Sequence, residues 1–105
     1  DAGAADAVRP PAVDALPGAG IPLHPALTLT EAEVRYAARF ELARDVEDIL
    51  ARRNRALFVD AAAASAAAPA VARILAEELG WSDTRRRERT AAFVDLAQGF
   101  MAGPD

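Results

Sequence analysis

Four carboxylates, Glu41, Asp45, Glu47 and Asp48, fall in one short stretch. On a helix, two of them could stand close enough to exchange a proton with a substrate or to hold a metal ion. Arg44 lies three or four residues from Glu41, Glu47 and Asp48. A neighbouring cation keeps a carboxylate ionised instead of raising its pKa towards neutrality, so ion pairing is the expected use of these acids. The lone histidine, His24, sits beside Pro25 with no metal-ligand spacing around it and is expected to be structural. Cysteine is absent, which removes thiolate nucleophiles, thiolate metal sites and disulfides together. No catalytic and no metal-binding residue is expected.

Two arginine groups could instead bind an anion or an acidic surface. Arg85, Arg86, Arg87 and Arg89 are consecutive or nearly so, hence they point in different directions around a helix and cannot all address one groove; a solvated helix face is expected. In the run Arg52-Arg53-Asn54-Arg55, Asp48 can satisfy Arg52, whereas Arg53 and Arg55 have no acid four residues before them. Arg53 and Arg55 are therefore the candidate docking residues. No Gly-x-Gly-x-x-Gly is present to cradle a dinucleotide, so no cofactor-binding residue is assigned.

The elements that must carry these groups are helical. Thr30 and Glu33 form a capping box, which starts a helix bearing Val34, Ala37, Ala38 and Leu42 inward. This helix either ends near Glu41 or continues to Arg53, with Asp45 and Asp48 resembling a second start. Val46, Ile49 and Leu50 make their own apolar stripe. Glu31/Arg35, Arg44/Asp48 and Asp48/Arg52 are four apart and are expected to pair on the solvent side. Ala56-Leu57-Phe58-Val59 reads as an apolar knot between helices. Asp60 can cap the alanine run, Pro69 either kinks that helix or begins another carrying Val71, Ile74, Leu75 and Leu79, and Gly80 supplies a left-handed stop with Trp81 packing beyond it. Ser82 or Asp83 opens the last helix, with Phe93, Leu96, Ala97 and Phe100 inward.

Upstream, Pro10, Pro11, Pro17, Gly18 and Gly20 favour a linker with at most one helical turn after Pro11, and Ile21 to Pro25 should be extended with its apolar residues against the domain. No run alternates β-branched and polar residues as a strand would. The expected fold is all-α: a small bundle of about four helices over 21–102, a Pro/Gly-rich segment over 1–20 and a tail over 103–105. A chain of 105 residues supports one domain, and no apolar run reaches the ~20 residues needed to span a bilayer. Every one of the 12 basic residues is arginine and the net charge is -4, which argues against a general nucleic-acid footprint. The start at Asp1 suggests an excised piece.

The block Val46 to Phe58, preceded by Glu33-Val-Arg-Tyr-Ala-Ala-Arg39 and followed by Leu75-Ala-Glu-Glu-Leu-Gly-Trp81, resembles the C-terminal helical domain of FAD-dependent glycerol-3-phosphate dehydrogenases and alpha-glycerophosphate oxidases. The resemblance covers about three quarters of the chain. Phe40, where a polar residue is expected, and Asn54, where threonine is usual, depart from it. It implies a parent flavoenzyme oxidising sn-glycerol 3-phosphate to dihydroxyacetone phosphate, with electrons passing from FAD to quinone or oxygen. FAD and the catalytic residues would lie in preceding domains, so the fragment itself would bind no cofactor and be inactive. Its partners would be the FAD and substrate domains of the same chain, with room for homo-oligomer contacts. The parent would be cytoplasmic or peripheral on the inner face of the cytoplasmic membrane. The alternative is a free-standing helical protein-interaction module.

Overall fold

In the computed structural model, residues 12–102 are described. Thr30 starts helix α1 (Glu31–Phe40) through the reciprocal cap: the Glu33 amide donates to Thr30 Oγ1 at 3.2 Å and the Thr30 amide donates to Glu33 Oε1 at 2.8 Å. The helix stops at Phe40 because Leu42 adopts the left-handed region, φ 62°. Ala37 O then accepts from both the Glu41 amide at 3.0 Å and the Ala43 amide at 3.1 Å, which reverses the chain. Leu42 is 75% exposed, not inward as its spacing suggested, because the turn removes it from the helical register. Its bulky side chain makes that conformation costly.

Asp45 organises the next segment, accepting from the Val46 amide at 2.8 Å through Oδ1 and from the Asp48 amide at 3.1 Å through its carbonyl. Of the two readings of this region, separate helical pieces are what forms. Asp48–Arg53 is π-helical, closed by the Asn54 amide donating to Ile49 O at 2.9 Å. Ile49, Leu50 and Ala51 are buried together there. Arg55, also left-handed at φ 63°, leads into a short helix α2 (Ala56–Val59). The expected apolar knot is only half inside: Ala56 and Leu57 are buried, whereas Phe58 and Val59 face outward because a single helical turn has two sides.

Asp60 Oδ1 accepts from the Ala63 amide at 3.0 Å and so caps α3 (Ala61–Leu79). Pro69 begins no new helix; it lies within this one, where its missing amide leaves one turn without its hydrogen bond. Gly80 ends α3 at φ 72°, and the Trp81 amide donates to Ala76 O at 3.1 Å, a left-handed stop with Trp81 against the core. Ser82 Oγ caps α4 (Asp83–Ala102) by accepting from the Arg85 amide at 3.1 Å.

The bundle is built around α3, which packs on α1, α2 and α4. Its alanines let neighbouring backbones approach, and Ile74 and Leu75 meet Leu29, Val34, Ile49 and Leu50 in one core cluster. Among the described side chains of α4, Phe93 and Ala97 are buried. Leu96 and Phe100, expected inward, stand at the rim, since α4 turns just part of its apolar stripe onto α3. A 3₁₀ turn at Val13–Ala15 precedes buried Leu16. Gly18, at φ 81°, abuts α1 so closely that a Cβ would lie 2.5 Å from Glu31 Cβ. Pro22 bridges to Thr30 and the Leu23 amide donates to Leu29 O at 2.8 Å, yet Ile21 is exposed, contrary to the inward placement expected. Among the described residues there is no strand.

Candidate functional site

Arg35 stands at the densest convergence of ionisable groups. Its Nε and Nη2 donate to Glu31 Oε2 at 2.9 and 2.7 Å, Nη1 donates to Glu78 Oε2 at 2.8 Å, and Nη2 donates to Glu77 Oε1 at 2.7 Å. Arg39 closes on the same Glu78 with bonds of 2.6 and 2.9 Å. Glu31/Arg35 was expected as a solvent-side pair. Instead the Arg35 side chain is only 11% exposed, because it reaches across α1 to the C-terminal end of α3. Burial alone would lower the Arg35 pKa, but hydrogen bonds to Glu77, Glu78 and Glu31 outweigh it and raise the value. Glu78 is held below the ordinary carboxylate range by Arg39 first and Arg35 second, and Glu77 by Arg35. Carboxylates so firmly ionised are poor proton carriers near neutrality; their chemistry here is bracing α1 against α3.

A second brace joins Asp45 to α4: Arg89 donates to its two oxygens at 3.0 and 2.6 Å. Helical spacing gave no sign of it, since the partners are 44 residues apart. Arg44 does not pair through its guanidinium with Asp48, as its spacing suggested. The left-handed turn at Leu42 directs that group back to Ala38 O and Ala43 O at 3.0 and 2.7 Å, and only the Arg44 amide donates to Asp48, at 2.9 Å. Arg52 keeps the expected Asp48 contact loosely, at 3.8 Å.

Beside this turn lies an open groove of about 470 Å³ lined by Glu41, Leu42, Asp48, Arg52 and Arg53. Arg53 pairs there with Glu41, an acid outside helical reach that the fold-back at Leu42 brings close. Glu41 and Glu47 thus join no carboxylate pair: the first meets Arg53 and the second meets Arg52 at 4.0 Å. His24 is remote from the groove in the chain, and its Nδ1 accepts from the Ala26 amide at 3.0 Å, which serves the turn around Pro25. Among the described residues, no group of three His, Asp or Glu side chains is placed to hold a metal ion. The described residues also form no strand–glycine loop–helix unit, so their fold offers no dinucleotide cradle.

Arg55 differs from Arg53. Among the described residues it forms no ion pair, and its guanidinium lies 5.5 Å from the centroid of the Phe58 ring. Phe58 in turn meets Phe100 edge-on at 5.2 Å, joining α2 to the end of α4. The arginines at the start of α4 diverge as expected: Arg86 and Arg87 meet Asp83, Arg85 lies over Trp81, and Arg89 turns inward to Asp45. Phe40 rests on Tyr36 at 5.0 Å, one turn earlier in α1.

Helices braced by cross-element arginine–carboxylate bonds, with a cation and aromatics left on one face, make up a small all-α domain. Residues 5–86 match the family model described as the C-terminal domain of alpha-glycerophosphate oxidase, and the chain belongs to that family. It is 41% identical over 89 residues to a probable mitochondrial glycerol-3-phosphate dehydrogenase of Caenorhabditis elegans, covering 82% of this chain. It is also 43% identical to the mitochondrial glycerol-3-phosphate dehydrogenase of Schizosaccharomyces pombe over 72% of the chain, and 43% identical to glycerol-3-phosphate dehydrogenase SDP6 of Arabidopsis thaliana over 75%. The match spans 12% of the length of each of these relatives, so it corresponds to one domain of a larger enzyme. No solved structure matches significantly. Among the described residues no helix is long and apolar enough to cross a membrane.

Proposed function

We propose that this chain is the non-catalytic C-terminal helical domain of a FAD-dependent glycerol-3-phosphate dehydrogenase and that it packs on the FAD and substrate domains of the same polypeptide. The observation that carries the reading is the match to relatives named for that activity over most of this chain but only 12% of theirs. The parent oxidises sn-glycerol 3-phosphate to dihydroxyacetone phosphate, with FAD supplying the redox chemistry in the preceding domains. Within this chain Glu31, Glu41, Asp45, Glu77 and Glu78 are paired with arginines, which supports a packing role rather than a reactive one. Of the two docking candidates, Arg55, over the Phe58 ring, is among the described residues the one free to meet those domains, whereas Arg53 is paired with Glu41. Contact with the inner face of a membrane belongs to the parent, as does any homo-oligomer interface. The net charge of -4 and the dispersed arginines favour a protein partner over a nucleic acid.

The test uses two preparations. Full-length enzyme should carry flavin absorbance and reduce a dye with sn-glycerol 3-phosphate, whereas the 105-residue chain should do neither. Stoichiometric flavin bound to the 105-residue chain would contradict the reading.

A further inference from the structure

We infer that the domain meets the rest of its polypeptide through the face built by Arg55, Phe58 and Phe100, with Leu96 one turn before Phe100 on α4, and that Arg53, paired with Glu41 on the groove side, is not its main contact. The inference rests on the proposed function, whose packing partner it locates.

Three observations converge on that face. Phe58 is 54% exposed and Phe100 46%, and their edge-on contact makes one continuous apolar surface from two elements that are distant in the chain. Leu96 and Phe100 are four apart on α4, a 20-residue helix whose described apolar side chains lie against this domain at Phe93 and Ala97, buried, and Val94, partly buried. A helix with an open apolar stripe is ordinarily covered. Arg55 is held at φ 63°, a conformation costly for a side-chain-bearing residue, and it places its cation over this surface, not on a carboxylate. Arg53, by contrast, has Glu41 as its partner and sits on the groove side of the π-helical turn.

The occupant follows from charge and chain length. The aromatic pair calls for an apolar counter-surface, and Arg55 calls for a carboxylate or backbone carbonyls at its edge. A second copy of this chain is the poorer fit: a two-fold contact centred on Phe58 and Phe100 would bring like guanidinium charges together over the same patch. The matched region is only 12% of the relatives' length, so a far larger body of the same polypeptide is available to cover it.

The test is photo-crosslinking in the full-length enzyme, with benzoylphenylalanine placed in turn at the positions of Phe58, Phe100 and, as control, Arg87, which is exposed and roughly 20 Å from Phe100 along α4. Crosslinks within one chain, from the Phe58 and Phe100 positions to peptides preceding this domain, at least about fivefold stronger than from the control, are expected. Adding Arg55→Glu should cut that yield severalfold, whereas Arg53→Ala should reduce it less. Crosslinks joining two chains, or arising mainly from the Arg87 position, would overturn the assignment of the face while leaving the proposed function intact. Absence of within-chain crosslinks from every position would overturn both the face and the packing role. Flavin absorbance and glycerol 3-phosphate oxidation of the same preparation report the parent activity separately.

Discussion

The seam between α1 and α3 and the face formed by α2 with the end of α4 use the same residue types to opposite ends. At the seam, Arg35 and Arg39 meet carboxylates at 2.6 to 2.9 Å, and the Glu78 side chain is only 9% exposed. At the face, Arg55 is left over an aromatic ring and two phenylalanines remain half in solvent. A polar group satisfied within its own domain contributes to folding, whereas a cation and aromatics left unsatisfied on a surface are available for association.

The contrast can be broken most sharply at Arg35. Arg35→Ala takes the cation from Glu31 and leaves the covered Glu78 with Arg39 alone, and the expected loss in chemical denaturation is about 2 kcal/mol. Arg55→Ala should change the stability of the 105-residue chain by less than about 0.5 kcal/mol, since it uncovers only one exposed ring. Equal losses at both positions would erase the distinction.

The seam should also make folding acid-sensitive. Glu77 and Glu78 have pKa values below the ordinary 4.5, so the unfolded chain binds protons more readily than the folded one as pH drops. Their stabilisation is therefore present above about pH 4.5 and lost as pH falls through the folded values, while the arginines stay charged throughout. Denaturation midpoints measured from pH 6 down to pH 3 should fall, and Glu78→Gln should lower the plateau and flatten that decline. A decline of the same steepness in the variant would remove Glu78 from the explanation.

A smaller effect is expected at the turn that separates the two regions. Leu42→Gly relieves the left-handed strain and loses little packing, so it should stabilise by a few tenths to about 1 kcal/mol after the extra chain entropy is counted. A loss of stability in thermal melts would show that the exposed leucine packs more than its position indicates. Similar in size but opposite in sign, Phe100→Ser should lower the stability of the 105-residue chain by about 1 kcal/mol, because the ring is only half buried.

What could be read from the residues follows the range of the interaction. Thr30 with Glu33, Asp60, Gly80 and Ser82 act on amides a few positions away, so the helix ends at these points were legible. The stop at Phe40 was one of two open readings, because leucine is among the residues least suited to the left-handed turn and Leu42 carries no local signal to decide for it. That one turn also displaced Leu42 from the core, diverted Arg44 from Asp48 and brought Glu41 to Arg53. The Arg35 network was half legible: Glu31 is at helical spacing, but Glu77 and Glu78 lie 42 and 43 residues away. Arg55 could be singled out for lacking a helical partner, whereas its alignment with Phe58 and Phe100 required the packing of α4.

Hydrogen exchange of the full-length enzyme, compared with its Arg55→Glu/Phe58→Ser variant, is the most direct measurement of whether the seam folds the domain and the face docks it. Faster exchange in the variant for peptides spanning 55–59 and 96–101, with unchanged protection across α1 and the Val71 to Leu79 part of α3, is the predicted result. Exchange that is unaltered at 55–59 and 96–101, or that quickens first along the α1–α3 seam, would contradict the division of labour between the two regions.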